Sequence, residues 1–335
     1  MSLYYKNNRG DNLKGLCKNR TLYKILDWID IAILDCSYLS SNKNPNAIPI
    51  IENNLKIRNI NWNNLSLNPN AIYLLNKYKC KINWELLSLN PNAISLLEKN
   101  LNIISWDDLS ENPNAIYILE KNQHKINWMH LSLNENAIPL LEQNLDKVDW
   151  DYLSENTNAI PILEKNLDNV DWSNLSSNPN AVHILENNLD KIEWYCLCLN
   201  PNPNAISIIE KNLDKVNWSA LSYNENAIHI LEKNQDKIDW YCLSENLNAI
   251  PLLEKNLDKV DWYNLSKNPN AISILEQYPE NVDWEIISSN PNIFELDYVF
   301  LKQRMDIIRE ELMMKAWYPS RIDKWLDAGF EIEDF

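Results

Sequence analysis

Residues 150–171 read WDYLSENTNAIPILEKNLDNVD, and this 22-residue unit decides the fold because it recurs along most of the chain. Its tryptophan returns every 22 residues from Trp62 to Trp194 and, after a two-residue insertion, from Trp218 to Trp284. Tandem repetition at such a period is typical of a solenoid, in which each unit packs only against its neighbours. The 335 residues are therefore not expected to form two or three separate globular domains.

Repeat positions are counted here from the tryptophan as position zero. Unit one is divergent and carries Cys36 at that position. Units two to twelve begin at Trp62, Trp84, Trp106, Trp128, Trp150, Trp172, Trp194, Trp218, Trp240, Trp262 and Trp284.

Each unit contains two short segments with helical periodicity. A first helix of about six residues, partly 3₁₀, is predicted to begin at the tryptophan and to end at the asparagine of position six. A longer second helix is predicted from position nine to fifteen, because the apolar residues at nine, ten, twelve and thirteen share one helical face. The predicted fold class is an all-α solenoid, or superhelix, of tandem 22-residue two-helix repeats with helical caps.

Asparagine supplies the predicted caps, since the only glycines (Gly10, Gly15 and Gly329) lie outside the array. Position eight is asparagine in all twelve units and is predicted to be the N-cap of the second helix. Examples are Asn70, Asn92, Asn114 and Asn158. The asparagine usual at position sixteen is predicted to be a left-handed C-cap. Position 21, mostly Asp or Asn, is predicted to cap the next first helix.

The tryptophans are predicted to form the structural spine of the array. Burial of one tryptophan side chain removes about 150–250 Å² from water, which is worth roughly 4–6 kcal/mol before entropy is subtracted. This expectation covers Trp62, Trp84, Trp106, Trp150 and Trp172.

Three regions are predicted along the chain. Residues 1–35 form an amphipathic, helical N-terminal cap, residues 36–292 form the repeat solenoid, and residues 293–335 form a helical C-terminal cap that covers the last interface. Within the C-terminal cap, a final helix is expected from Ser320 to Ala328.

Composition excludes several classes of function. The net charge of −16 argues against nucleic acid or an anionic membrane as the main partner. No apolar run reaches 18 residues and the N-terminus carries no signal-peptide core, so a soluble intracellular protein is expected. The six scattered cysteines fit neither a disulfide framework nor a zinc site, which favours a reducing compartment.

No pattern indicates chemistry. Nucleotide-binding, metalloprotease and esterase motifs are absent from the sequence. His183 and His229 both occupy position eleven, but they lie two units apart and are too distant to share a metal. The Glu of position fourteen recurs in nearly every unit, as a solvated face would. The expectation is a non-enzymatic protein without metal or cofactor.

The outward positions of the first helix suggest a binding face. Positions one, two and five vary from unit to unit, whereas the second helix repeats Glu-Lys at fourteen and fifteen. The varied face carries Met129, His130, Tyr152, Tyr195, Tyr223, Tyr241 and Tyr263. Exposed aromatic residues are typical of protein interfaces, and the acidic residues nearby would steer a basic partner. Drift at unconstrained surface positions is the alternative interpretation.

The unit LSxNPNAIxILEKNLDKVDW resembles a repeat of many proteins of giant DNA viruses, the mimivirus-like and algal-virus groups. The opening ILDWIDIAILDCSYLS and the closing EELMMKAWYPSRIDKWLDAGFEIEDF also resemble the ends of that family. The resemblance implies a location in the host cytoplasm or the virion, and it supplies no catalytic residues. Two hypotheses follow: a scaffold that binds a partner protein, including one of the host, or a self-associating structural component of the virion or replication compartment.

Overall fold

The computed structural model describes residues 22–55 and 59–327, which fall into two compact regions. The array region is Trp28–Ile293, and the terminal region combines the chain before Trp28 with the chain after Ile293. The array region contains the repeats, and in its described residues all elements of regular secondary structure are helices, joined by turns.

The helices of the array confirm the predicted all-α repeat solenoid. The first helices span Cys36–Leu39, Trp62–Leu67, Trp84–Leu89, Trp106–Glu111, Trp128–Leu133, Trp150–Glu155, Trp172–Ser177, Trp194–Leu199, Trp218–Tyr223, Trp240–Glu245 and Trp262–Lys267, and unit twelve has the 3₁₀ helix Ile286–Ser289. The second helices span Ala47–Asn54, Ile72–Lys77, Ile94–Leu97, Ile116–Lys121, Ile138–Glu142, Ile160–Leu163, Val182–Glu186, Pro203–Glu210, Ile228–Lys233, Ile250–Glu254 and Ile272–Gln277. Other 3₁₀ turns cover Pro69–Ala71, Lys79–Lys81, Glu98–Asn100, Gln123–Lys125, Pro179–Ala181, Gln235–Lys237, Pro269–Ala271 and Pro279–Asn281.

The second helix is not the longer of the two. It begins at position ten in most units and has four to six residues, against six in most first helices. Eight residues are reached only at Ala47–Asn54 and Pro203–Glu210, which follow the two-residue insertions after position eight. These two units lengthen their second helix without altering the joints to their neighbours.

The side chain of the asparagine at position six holds the turn that leads into the second helix. Asn156 Oδ1 accepts a hydrogen bond from the backbone N–H of Asn158 at 3.0 Å. Its Nδ2 donates to the carbonyls of Ser132 and Asn134, at 2.9 and 3.1 Å, in the preceding unit. The side chain is buried, so it satisfies three backbone groups that water cannot reach. The same bridge to the preceding unit is present at every joint from unit two to unit twelve.

The asparagine of position eight is therefore an inter-unit bridge, and its prediction as N-cap was wrong in most units. Asn202 of unit eight is an exception, because its Oδ1 accepts from the backbone N–H of Asn204 at the start of Pro203–Glu210. In most units the second helix starts at position ten, two residues after this asparagine. Its capping residue is the alanine of position nine, which has no side-chain acceptor. The position-eight Nδ2 instead donates to the position-seven carbonyl of the preceding unit. The distances are 2.8 Å for Asn70, 3.0 Å for Asn92, 2.9 Å for Asn114 and 3.0 Å for Asn158.

The predicted cap at position 21 is confirmed, whereas the left-handed cap at position sixteen is not found. Asp171 Oδ1 accepts from the backbone N–H of Asn174 at 2.7 Å, at the start of the first helix of unit seven. Asn122 has φ −132°, outside the left-handed region. Its side chain caps the helix differently, because Nδ2 donates to the carbonyl of Ile118 at 2.8 Å.

Leucine and alanine, not tryptophan, form the fully buried spine. In unit six, Leu153, Ala159 and Leu163 have no exposed surface, and the same positions are buried in units two to eleven. The tryptophans at position zero, including Trp62, Trp84, Trp106, Trp150 and Trp172, are only half-buried. Five tryptophan rings are covered from outside by the lysine of position nineteen, whose Nζ lies 4.4–5.0 Å from the ring centroid.

The array closes on itself, because unit one packs against unit twelve. Asn42 Nδ2 donates to the carbonyls of Ser288 and Asn290, at 2.9 Å each. The backbone N–H of Asp35 donates to Ser288 Oγ at 2.9 Å, and Asn44 Nδ2 donates to the carbonyl of Pro291 at 2.8 Å. The two asparagine bridges repeat those of every internal joint, and the Asp35 bond repeats that of most of them, so unit one contacts unit twelve much as any unit contacts its predecessor.

Both ends of the array contribute to unit twelve. The chain supplies the first helix Ile286–Ser289 and leaves the repeat after Ile293. In other units, the last residues of the unit lead directly into the next first helix. For unit twelve, these residues are supplied by the segment before Cys36, at the other end of the array. Leu34 is buried like the apolar residue of position 20 elsewhere, and Asp35 caps the first helix of unit one. Trp28 packs against Trp284, with ring centroids 6.0 Å apart.

The terminal region differs from the predicted helical caps. Its described N-terminal part forms strand β1, Tyr23–Ile25, which pairs antiparallel with β2, Phe294–Leu296. Residues 26–35 form turns, so the expected amphipathic helix is absent from the described part of residues 1–35. Helices α1, Tyr298–Ala316, and α2, Pro319–Asp327, follow β2, so the C-terminal segment is helical as predicted. The predicted covering of the last interface by this segment was wrong, because unit one packs against unit twelve there. The predicted end at Ala328 lies outside the described residues.

Candidate interaction surface

The first helices form the inner layer of the closed array. First helices of neighbouring units are in close contact from unit two to unit twelve and again between unit twelve and unit one, whereas neighbouring second helices approach one another far less. Units one and two are joined through Asn68, whose Nδ2 donates to the carbonyls of Ser40 and Asn42. In a closed ring, the more closely spaced layer lies nearer the axis. The outward face of each first helix therefore faces the opening of the ring.

Closure also fixes the geometry of each joint. Twelve similar joints return the chain to its starting point, so each joint is close to a pure rotation of about 30° without rise along the axis. First helices at the usual packing distance of about 8–10 Å would then lie about 15–19 Å from the axis. Second helices, in a layer farther out, would be separated by more than a packing distance, as observed.

The three variable positions of the first helix are not equally exposed. Position one is exposed in units two to twelve. Position two is less exposed in most units, because it packs against the preceding unit and does not point outward as predicted from the helical angle; Tyr38 and Tyr152 are the exposed exceptions. Asn174 Nδ2, for example, donates to the carbonyl of Asp151 at 2.9 Å. Ala220, Cys242 and Asn264 at this position are buried.

Four tyrosines of the predicted stripe lie exposed in four successive units. The exposed fractions are 51% for Tyr195, 37% for Tyr223, 53% for Tyr241 and 43% for Tyr263. Three of them occupy position one, and Tyr223 occupies position five of the intervening unit. Because all four stand on helices packed into the array, they form a preorganised aromatic surface, which we call the tyrosine sector.

Contacts between units hold part of this sector in place. Desolvation and a hydrogen bond with Cys242 raise the pKa of Tyr223 well above its ordinary value. Ser219 Oγ hydrogen-bonds Asp239 and lies 3.4 Å from Cys242 Sγ. The Ser219 hydroxyl in turn lowers the pKa of the Asp239 carboxyl. These groups are held by one another and by packing, so they serve to position Tyr223.

The other predicted contact residues lie on units five and six. Met129 and Tyr152 are exposed. His130 is partly buried at position two, and its Nδ1 lies 3.4 Å from Glu111 Oε2 of the preceding unit. Six units separate unit five from unit eleven, so Met129 and His130 lie across the ring from Tyr263.

Tyr38, which was not among the predicted contact residues, is exposed at position two of unit one. Unit one has no tryptophan and was treated as divergent, yet its CSYLSSN matches the first helix position by position. Because the array closes, Tyr38 lies only two units beyond Tyr263 and extends the tyrosine sector.

Charge on the inner face is strongly one-sided. Positions one, two and five carry eight carboxylates and a single lysine, Lys267. Six of the acids belong to units three to six: Glu85, Asp107, Asp108, Glu111, Asp151 and Glu155. We call these units the acidic sector. Lys267 lies in the tyrosine sector, with Nζ 4.4 Å from the centroid of the Tyr263 ring.

The described residues hold no group of three or more metal-ligating side chains. The imidazoles of His183 and His229 each contact a glutamate of the preceding unit on the second-helix side, at 2.8 and 2.9 Å. No helix in the described part of the chain is long and apolar enough to span a membrane.

Comparison with known proteins gives no relative. No family model, no curated protein and no solved structure matches the chain.

Proposed function

We propose that the protein is a non-enzymatic scaffold that binds a partner protein through the inner face of its first helices. The observation that supports this most is the tyrosine sector, where four exposed rings occupy successive units of a rigid array. Tyrosine buries a large area with few rotatable bonds and keeps a polar tip, so preorganised clusters of it often dominate protein binding. The second-helix side, which repeats Glu-Lys, offers no comparable variety.

The proposal is tested by replacing Tyr195, Tyr223, Tyr241 and Tyr263 with serine. Proteins captured by the parent chain from the cells that express it would be identified by mass spectrometry, and the affinity of each would be measured with the variant. We expect a loss of at least about tenfold in affinity, which corresponds to the removal of a single hot-spot residue. An unchanged affinity for every captured partner would exclude the tyrosine sector as the site.

Two control variants separate loss of the site from loss of the fold. Tyr73→Ser removes an exposed tyrosine at position eleven, on the second helix. Exchange of Glu232 and Lys233 alters the Glu-Lys pair of that side without changing net charge. We expect both to bind as the parent does, and all variants to keep the parent circular dichroism.

The second candidate function is a self-associating structural component. Exposed apolar side chains on α1, among them Val299, Met305 and Leu312, favour it, because contiguous exposed apolar residues often mark contacts between proteins. End-to-end stacking of repeats is disfavoured, since both ends of the array are already joined. Mass measured by light scattering over a concentration series distinguishes the two: a constant monomer mass favours the scaffold.

The location of the protein is also a proposal. The resemblance of the repeat to those of giant DNA viruses supports a role in an infected cell or in the virion, with host proteins among the candidate partners. Proteomics of purified virions and of infected cytoplasm would locate the chain.

A further inference from the structure

The closed array restricts what its inner face can bind. An open solenoid presents its inner face to any partner that fits the groove. Here unit one is hydrogen-bonded to unit twelve by the same bonds as at internal joints, so the inner face surrounds an opening. A partner that contacts several sectors of this face at once has to lie within the ring.

The width of the opening selects the form of the partner. Helix axes about 15–19 Å from the centre, less about 5–6 Å for the helix and its side chains, leave an opening about 19–27 Å across. A globular domain of 100 residues has a radius of gyration of about 13 Å and a diameter of about 34 Å. An extended chain or a single helix, about 10–12 Å wide, passes through.

The charge of the face selects the chemistry of the partner. The acidic sector, units three to six, lies opposite much of the tyrosine sector across the opening. Lysine and arginine complement its carboxylates, and both also bind the faces of tyrosine rings. One basic segment can therefore satisfy both sectors, whereas an acidic segment is repelled by eight carboxylates against one lysine.

We infer that the partner of this protein presents a single basic segment, extended or helical, that threads through the ring. The inference rests on the proposed function and specifies the class and form of the partner. Rapid binding requires a free end on the partner, because a segment that is folded at both ends can enter only when the joint between units one and twelve opens.

Threading is tested with the full-length chain and a synthetic 24-residue peptide of eight Arg-Gly-Ser triplets. Three versions are compared: both ends free, one end fused to a 100-residue globular domain, and such domains at both ends. We expect the first two to associate at similar rates and the third at least about 100-fold more slowly. Equal rates for all three would overturn the threading while leaving the proposed interaction face intact.

Basic specificity is tested with a peptide of eight Glu-Gly-Ser triplets and with two charge variants. The acidic peptide should not bind. Asp107→Asn with Asp151→Asn, both at position one, should weaken binding of the arginine peptide at least about tenfold. Glu120→Gln with Glu142→Gln, the same loss of charge on the second helix, should change it less than about twofold.

Failure of the arginine peptide to bind the parent chain overturns the inferred partner class. It leaves the scaffold proposal standing if captured proteins still depend on the tyrosine sector. Loss of that dependence refutes the scaffold proposal itself, so the two failures are distinguishable.

Discussion

Asparagine performs four different tasks in the repeats, and its place in the unit decides which. At position six the buried amide serves three backbone groups, and at position eight an exposed amide reaches one carbonyl of the preceding unit. At position sixteen it caps the second helix through its own Nδ2, and at position 21 it accepts from the next first helix. A short amide with a donor and an acceptor replaces glycine in the turns of this array.

Position six should matter more to stability than position eight. We expect Asn156→Ala to lower the free energy of unfolding by about 3 kcal/mol, because it leaves buried backbone carbonyls unpaired. Asn158→Ala removes one exposed hydrogen bond and should cost about 1 kcal/mol or less. Urea melts of both variants at equal protein concentration measure the difference. Equal losses would contradict the roles assigned to these two residues.

The thiol of Cys196 should react slowly with alkylating agents. Desolvation, together with the nearby Glu193 carboxylate, raises the pKa of Cys196 to about 11, so at pH 8 only about one thiol in a thousand is ionised. We expect the exposed Cys80 to react with iodoacetamide before Cys196, as followed by peptide mass spectrometry. Glu193→Gln should accelerate Cys196, and reactivity should rise with pH up to about 11. Faster reaction of Cys196 than of Cys80 would disprove this.

Residue patterns predicted some of these roles and not others. The position-21 cap was predictable because capping is local and involves residues two or three apart in sequence. The bridges from positions six and eight span 22 or more residues, and no local rule assigns an asparagine to a carbonyl of another unit. The invariance of position six was visible in the sequence, but it was interpreted only as the end of the first helix.

At the scale of the helices, the capping carboxylate of position 21 should stabilise each first helix. Asp171→Ala removes the acceptor for the Asn174 N–H and should cost about 1 kcal/mol. Asp168→Ala, three residues earlier and exposed, removes the same charge and should stay within about 0.5 kcal/mol of the parent. Thermal melts compare the two variants. A similar loss in both would point to net charge instead of capping as the cause.

The existence of two helices per unit was predictable, but their relative length was not. Periodicity shows which residues face the core, whereas the start of the second helix depends on where position six places its amide. The prediction that the tryptophans form the buried spine was wrong for a related reason. Their size suggested the deepest burial, yet the fully buried positions three, nine and thirteen are mostly leucine and alanine.

At the scale of the whole array, the joint between units one and twelve should contribute as an internal joint does. Asn42→Ala removes the bonds to Ser288 and Asn290, and Asn90→Ala removes their counterparts between units two and three. We expect both variants to lose about 3 kcal/mol of unfolding free energy. A neutral Asn42→Ala beside a destabilising Asn90→Ala would mean that the array is open in solution.

Closure could not be predicted from the repeat alone. The angle at each joint depends on the difference in spacing between the two layers, and a change of a few degrees accumulates over twelve joints. The sequence did contain one indication of closure. The residues before Cys36 match the end of a repeat unit, and the unit that lacks such an end is unit twelve, near the C-terminus. The tyrosine sector was identified from sequence as a stripe, but its enclosure was not.

Closure of the ring fixes the number of repeat units in the chain. In an open solenoid, duplication or deletion of one 22-residue unit lengthens or shortens the molecule and leaves every other contact intact. Here a gain or loss of one unit changes the closing angle by about 30°, and Asn42 would no longer meet Ser288 and Asn290. Recombination between the near-identical repeats, which readily changes the length of such genes, should therefore be selected against in this one. Its descendants should vary at the side chains of the inner face and retain twelve units.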